Sequence, residues 1–232
     1  MTAIASNLQA VHRVIAQTLR MAHRGENEVN LLAVSKGFSS DAIRAAYSAG
    51  QLVFGESYVQ EALDKIAALH HLPLQWHFIG PIQSNKSRAI AEHFSWVHSV
   101  DRLKISERLS AQRPQNLPPL NVCIQVNVSG EASKSGVAPN QLAELAQSVA
   151  RLPRLKLRGL MAIPAPAAEL AAQREPFARL RQMKQALNNQ GLDLDTLSMG
   201  MSHDLPAALL EGATIVRIGT ALFGERPLSD PH

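Results

Sequence analysis

The amino-acid sequence predicts an α/β fold in which eight parallel strands close into a single (β/α)8 TIM barrel spanning residues 1–232. Three observations lead there. Short β-rich runs alternate with amphipathic helical stretches along the whole chain, and no low-complexity linker interrupts them. No Gly-x-Gly-x-x-Gly turn follows the first strand, which removes the usual reason to prefer an open dinucleotide-binding sheet. After the eighth strand only Glu225–His232 remain, too few for a last crossover helix, while a helix stands ahead of the first strand. That N-terminal helix is expected to cover the gap left by the missing last one.

The opening helix, near Ser6–Arg24, puts Leu8, Val11, Ile15, Leu19 and Ala22 on one stripe, with Ser6 as its cap and Gly25 as its stop. Strands are expected near Val29–Ser35, Leu52–Gly55, Leu74–Ile79, Trp96–Val100, Leu120–Val128, Leu155–Ile163, Thr196–Gly200 and Ile215–Phe223. Helical patterns lie between them at Asp41–Ala49, Tyr58–Leu69, Asn85–His93, Arg102–Gln112, Gln141–Leu152, Glu169–Asn189 and Leu205–Glu211. Gly50, Gly191 and Gly212 fall where helices should stop in the left-handed conformation. Strands joined by helical crossovers run parallel.

Apolar residues make up 46% of the chain and charged residues 18%, enough to bury a sizeable core. No window is long and apolar enough to span a bilayer. The start, Met1 to Asn7, lacks the basic-then-apolar pattern of a signal peptide. Cys123 is the single cysteine, so neither an internal disulfide nor a cysteine-rich zinc site is available. These features point to a reducing, cytoplasmic setting. Lys and Arg number 23 against 19 Asp and Glu, a mild surplus scattered along the chain. With few aromatics and no recognition motif, it argues against nucleic-acid binding. The nine histidines show no His-Glu-x-x-His spacing, and adjacent His70 and His71 diverge, so no metal site is expected.

In such barrels the chemistry belongs at the carboxyl ends of the strands, and three features fall there. Lys36 ends the first strand, after Leu31-Leu32-Ala33-Val34-Ser35. It is either a plain surface charge or a desolvated amine whose neutral form attacks aldehydes. Ser198-Met199-Gly200-Met201-Ser202-His203-Asp204 leaves the seventh strand and enters a helix. There Ser202 and the amides ahead of Leu205 form a helix N-terminus that attracts phosphate, unless Ser202 or Asp204 is an ordinary cap. In the eighth strand, Val216-Arg217-Ile218-Gly219-Thr220, Gly219 allows close backbone approach and Thr220 offers a hydroxyl, the plain alternative being a small residue needed for packing. Together these set an amine beside a phosphate cradle. A phosphate ester carrying an aldehyde satisfies both.

At these residues the sequence closely resembles the pyridoxal phosphate homeostasis protein family, of the YggS/PROSC type. The resemblance runs through Ala33-Val34-Ser35-Lys36, Phe54-Gly55-Glu56, Tyr58-Val59-Gln60-Glu61, His77-Phe78-Ile79-Gly80 and Gln83-Ser84-Asn85-Lys86. It continues through Gly159-Leu160-Met161, Ser198-Met199-Gly200-Met201-Ser202 with Asp204, and Val216-Arg217-Ile218-Gly219-Thr220, and so covers nearly the whole chain. It implies an alanine racemase N-terminal-domain-like barrel without the racemase β-domain, binding pyridoxal 5'-phosphate and serving vitamin B6 balance, with no reaction established for the family. Carried over by position, it implies Lys36 as the Schiff-base lysine and Ser202, Gly219 and Thr220 as phosphate ligands. Arg217 would face the pyridine nitrogen, with Met201 and Ser57 lining the cofactor site. An arginine there offers only donors and stays protonated. It therefore disfavours a protonated ring and leaves a weaker electron sink.

The chain departs from the family pattern at Ser57, where asparagine is usual; with Gln60 it also matches a helix capping box. His203 occupies a variable position, either solvated or an extra titratable donor beside the phosphate. Racemisation needs a base on each face of the cofactor, and the tyrosines here, Tyr47 and Tyr58, both fall in helical crossovers. Lys134, after the fifth strand, is either a solvated loop lysine or a second amine for aldehyde capture. The reading favoured is a carrier or buffer that delivers pyridoxal phosphate to apo-enzymes without turnover of its own. A monomer is expected, since the β-domain on which the racemase dimer depends is missing. The alternatives are an enzyme acting on an unidentified amino acid, or a regulatory protein whose partner reads cofactor occupancy.

Overall fold

The computed structural model describes residues 2–130 and 135–225. In it β1 (Asn30–Val34), β2 (Val53–Glu56), β3 (Gln75–Phe78), β4 (Trp96–Val100), β5 (Leu120–Gln125), β6 (Leu155–Met161), β7 (Thr196–Ser198) and β8 (Ile215–Ile218) close into a parallel barrel in chain order. Helices α2 (Ser40–Ser48), α3 (Val59–Ala68), α4 (Ser87–His93), α5 (Leu103–Gln112), α6 (Leu142–Ala150), α7 (Leu170–Asn189) and α8 (Leu205–Leu210) make the crossovers. Gly50, Gly191 and Gly212 end helices with φ of 99°, 95° and 92°, as the sequence requires. No helix among the described residues is long and apolar enough to cross a membrane.

The closing pair is β1 with β8, in register from Asn30 opposite Ile215 to Ala33 opposite Ile218. The N-terminal helix α1 (Ala3–Met21) covers this seam, packed against α8 and α2. It buries Leu8, Val11, Ile15 and Leu19, the stripe read from the sequence. Polar ties fix it to the last strand–helix unit: Asn7 donates to the Leu222 carbonyl at 3.0 Å, and Arg24 donates to those of Leu209 and Ala213 at 2.8 and 2.9 Å.

Three local expectations are corrected. The cap of α1 is Thr2, whose hydroxyl accepts the Ala5 N–H, because the helix starts one turn before Ser6. Its stop is His23, at φ 53°, while Gly25 is extended; the Arg24 N–H bonds back to the Leu19 carbonyl, and its anchored guanidinium holds this exit, two residues early. The eighth strand ends at Ile218. Gly219 turns the chain, and Thr220–Phe223 form a short helix, α9, rather than more strand. Its Leu222 enters the core and Phe223 stacks on Phe38, with ring centroids 5.0 Å apart. An apolar run that short reads equally well in either period.

Strand residues alternate between two buried faces, because successive side chains in a strand point opposite ways. One set faces the helices and joins the large apolar cluster of Leu31, Ala33, Phe54, Phe78, Val97 and Leu160. The other fills the barrel, where Leu32, Trp96, Cys123, Met161 and Ile215 form a second cluster. Burial pushes the Cys123 thiol up to about 12, so it is inert packing. Midway along β5 its register with β6 shifts between Val122 and Cys123. Arg158 there lies 4.8 Å over the Trp96 ring and pairs with Asp195 at 2.6 Å.

Gly159 marks the closest backbone approach in the barrel wall. A Cβ there would meet the Thr196 carbonyl of the neighbouring strand, 2.6 Å from its carbon. Backbone in a closed sheet cannot retreat as a side chain can. Gly159→Ala is therefore expected to lower the unfolding free energy by about 2–3 kcal/mol, as an overpacked core does; urea denaturation followed by circular dichroism measures it.

Candidate functional site

At the carboxyl ends of the strands lies a cleft of about 240 Å³. Its apolar walls come from Val34, Phe38, Ile79 and Ile163, and its polar groups from Lys36, Ser57, Ser202, His203, Arg217 and Thr220. Met201 and Gly219 complete the lining. Every position named from the sequence as a site residue therefore meets in one cavity. Lys36 arrives from the turn after β1, Ser57 from that after β2, Met201, Ser202 and His203 from the β7–α8 loop, and Arg217, Gly219 and Thr220 from β8 and its end. The charged or titratable side chains lining it, among the described residues, are Lys36, Arg217 and His203. Among the described residues no carboxylate lines the cleft, which suits an anion.

One expectation fails at these residues. Ser57 does not cap a helix: α3 begins after Tyr58, with no side-chain cap, and Ser57 lies in the cleft instead. The capping box fails because Ser57 comes one residue too early. At Gly219, a Cβ would lie 3.3 Å from the Val34 carbonyl oxygen and 3.4 Å from its Cβ, so packing against β1 alone already favours glycine. Ser202 stands in the turn ahead of α8, where Asp204, not Ser202, accepts the Met201 N–H at 2.6 Å. His203 is half exposed and 3.2 Å from the Asp204 carboxylate. Lys134 lies outside the described residues. Tyr47 sits on α2 and Tyr58 at the start of α3, and neither lines the cleft.

Below the cleft, Arg217 heads a buried polar column that the sequence reading missed. Its guanidinium donates to the Ala162 carbonyl at 2.9 Å and to the Ser198 hydroxyl at 2.8 Å. His98 Nδ1 is 2.7 Å from that hydroxyl, and His98 Nε2 is 3.0 Å from His77 Nδ1. The proton order follows from Arg217, which can only donate. Ser198 accepts from it and gives its own proton to His98 Nδ1; His98 Nε2–H then donates to His77. That leaves His77 Nε2 buried without a partner. Both rings are neutral: burial brings His77 down to about 3, and burial, His77 and Arg217 together hold His98 well below the usual range. Burial lowers Arg217 only to about 10, so it stays charged at neutral pH. A signal was present in the sequence, since Trp76-His77-Phe78 and Trp96-Val97-His98 put each histidine at an inward position of an apolar strand.

Comparison with known proteins agrees with this architecture. The family model described as "Alanine racemase, N-terminal domain" matches residues 4–227. A protein of Pseudomonas aeruginosa named pyridoxal phosphate homeostasis protein is 63% identical over 231 residues, covering 100% of this chain and 99% of the relative. The chain belongs to this family.

Among solved structures, PipY of Synechococcus elongatus with PLP bound is similar at a TM-score of 0.83 and 39% identity, covering 95% of this chain and 100% of that one. The alanine racemase of Corynebacterium glutamicum, at 19% identity and a TM-score of 0.69, covers 99% of this chain but only 63% of its own, and shares the fold. The (β/α)8 barrel expected of the sequence, with its likeness to the racemase N-terminal domain, is thus what the chain adopts.

The neutral histidine column makes stability depend on pH. His77 has a depressed folded value, so its contribution is present above about 6.5 and is lost as the unfolded chain takes up a proton below that. From pH 7 to pH 5 the unfolding free energy is expected to fall by about 2 kcal/mol on account of His77 alone. The loss should be smaller by that amount in His77→Gln, and urea titrations of both proteins at the two pH values measure the difference.

Proposed function

We propose that this protein binds pyridoxal 5'-phosphate covalently through Lys36 and serves its balance in the cell as a carrier or buffer. The observation that carries this reading is the composition of the cleft: a primary amine, a buried guanidinium and three hydroxyls around apolar walls, with no lining carboxylate among the described residues. These groups fit the cofactor part by part. Lys36 supplies the amine for the aldehyde, Ser202, Thr220 and the backbone at Gly219 take the phosphate, and Arg217 faces the ring nitrogen as a pure donor. Ser57 and Met201 line the ring's surroundings. The PLP-bound PipY structure and the naming of the Pseudomonas aeruginosa relative support the choice of cofactor. When bound, the cofactor supplies an electrophilic carbonyl and an electron sink.

Turnover is not what this cleft is built for. A guanidinium held charged beside the ring nitrogen weakens the sink, and no tyrosine lines the cleft to act as a second base. With Lys36, Arg217 and the phosphate ligands committed to the cofactor, His203 is the one titratable lining side chain among the described residues left to meet a substrate carboxylate. On this reading the protein works in the cytoplasm as a single-barrel monomer, with PLP-dependent apo-enzymes as recipients. His203 in the cleft favours one alternative, an enzyme acting on an amino acid with His203 as its base.

Borohydride reduction of the loaded protein followed by peptide mapping is expected to put the pyridoxyl mass on Lys36; label on Lys86 alone would overturn the assignment. Ser202→Ala and Thr220→Val should each weaken pyridoxal phosphate by about 1.5–3 kcal/mol, the worth of a charged hydrogen bond. Pyridoxal, which lacks the phosphate, should be unaffected, and equal loss for both ligands would refute the cradle. Incubation with L- and D-amino acids in deuterated water separates carrier from enzyme. Little α-deuterium incorporation is expected, and fast, enantiomer-selective exchange that disappears in Lys36→Ala or His203→Ala would establish an enzyme instead.

A further inference from the structure

We infer that a buried ion triad on the far side of the sheet, Lys65 with Glu56 and Glu61, is the positioning device for Lys36. This rests on the reading of Lys36 as the covalent attachment point. The triad lies between β1, β2 and α3 and does not line the cleft. Lys65 Nζ spends its three donors on the Ser35 carbonyl at 2.8 Å, Glu56 Oε1 at 2.8 Å and Glu61 Oε1 at 2.5 Å. Glu56 Oε1 also accepts the Ser35 hydroxyl at 2.6 Å, and Glu61 Oε1 accepts the Gly37 N–H at 2.6 Å.

The bonds fall on both sides of Lys36. The peptide plane before it carries the Ser35 carbonyl, held by Lys65, and the plane after it carries the Gly37 N–H, held by Glu61. Fixing both planes fixes the direction of the Lys36 Cα–Cβ bond, and so the arc that its amine can sweep. Gly37 takes a φ of 78°, a turn that only glycine makes without strain, so the chain can fold back towards Glu61 at once. The triad is a costly way to hold three elements together. Lys65 and Glu56 are 5% and 0% exposed, and Glu56 Oε2 is buried without a partner. Desolvation of such a group can outweigh the Coulomb attraction, and apolar side chains would bind α3 to the sheet at least as firmly. What ions provide and apolar groups cannot is a set of directed bonds to the two peptides flanking Lys36.

The test separates aim from stability by comparing two ligands. Pyridoxal phosphate needs the Lys36 amine in place; pyridoxine 5'-phosphate has the same ring and phosphate but an alcohol for the aldehyde. In Lys65→Met and in the half-exposed Glu61→Ala, affinity for pyridoxal phosphate and the rate of borohydride-trappable capture should fall by about tenfold or more, as misplaced reacting groups do. Affinity for pyridoxine 5'-phosphate should stay within about twofold, since no bond to it depends on that amine's placement. Glu61→Gln, which keeps an oxygen for the Gly37 N–H, should recover most of the capture rate. Equal weakening of both ligands would assign the triad to fold stability and overturn the inference. So would an unchanged capture rate in Glu61→Ala with the label still on Lys36. Label away from Lys36 in the unmodified protein would overturn the attachment reading first and this inference with it.

Discussion

The pairing of β1 with β8 is the constraint on which the rest of the molecule depends. Its register sets Leu32 beside Arg217 and Ala33 beside Ile218. The residues that follow in each strand, Lys36 on one side and Gly219 with Thr220 on the other, then reach the same rim although they come from opposite ends of the sequence. The seam is tight at this level, with the Gly219 backbone close enough to Val34 that a Cβ would crowd it. A parallel sheet must be covered on both faces, and at the seam the cover is α1, held by its apolar stripe and by the bonds of Asn7 and Arg24 to backbone carbonyls of the last unit.

Closure also forces every second strand residue into a confined interior, where polar groups survive only if they bond to one another. The column from Arg217 through Ser198 and His98 to His77 meets that demand with a single charge at its head. The two imidazoles stay neutral because protonating either would add an unpaired cation in a dry space beside a guanidinium. The column's one positive charge, on Arg217, thereby stands at the cleft, which Lys36 also lines. An anionic ligand is the natural complement.

The two faces of the first two strands divide the work. Val34, Lys36 and Ser57 belong to the cleft, while Ser35 and Glu56 meet Lys65 on the helix side. Strict alternation makes this possible: the residue that chemistry needs and the residues that hold it are sequence neighbours on opposite sides of one sheet. The same economy appears at β8, where inward Arg217 lies between outward Val216 and Ile218 of the outer core.

Much of this was legible in the sequence because it depends on local pattern. Alternating strand and helix periods, glycine stops after α2, α7 and α8, and a helix standing ahead of the first strand pointed to a closed barrel with that helix in the gap. Lys36 and the β7 and β8 ends could be named because barrel chemistry sits at the carboxyl ends of strands, whichever strands they are. What sequence could not supply was register and exact termination. Whether Ser57 or Tyr58 precedes α3, and whether Thr220 extends a strand or opens a helix, turns on a one-residue difference that tertiary contacts such as Phe223 on Phe38 decide. The pair Glu61 and Lys65 is a visible i, i+4 spacing. Its junction with Glu56 and Ser35 exists only because β1 and β2 pair with Val34 opposite Gly55, which brings the next residue of each strand together. The histidine column has the same origin: His77, His98, Ser198 and Arg217 come from four strands, and only the closed barrel, by pointing all four side chains at one axis, makes them neighbours.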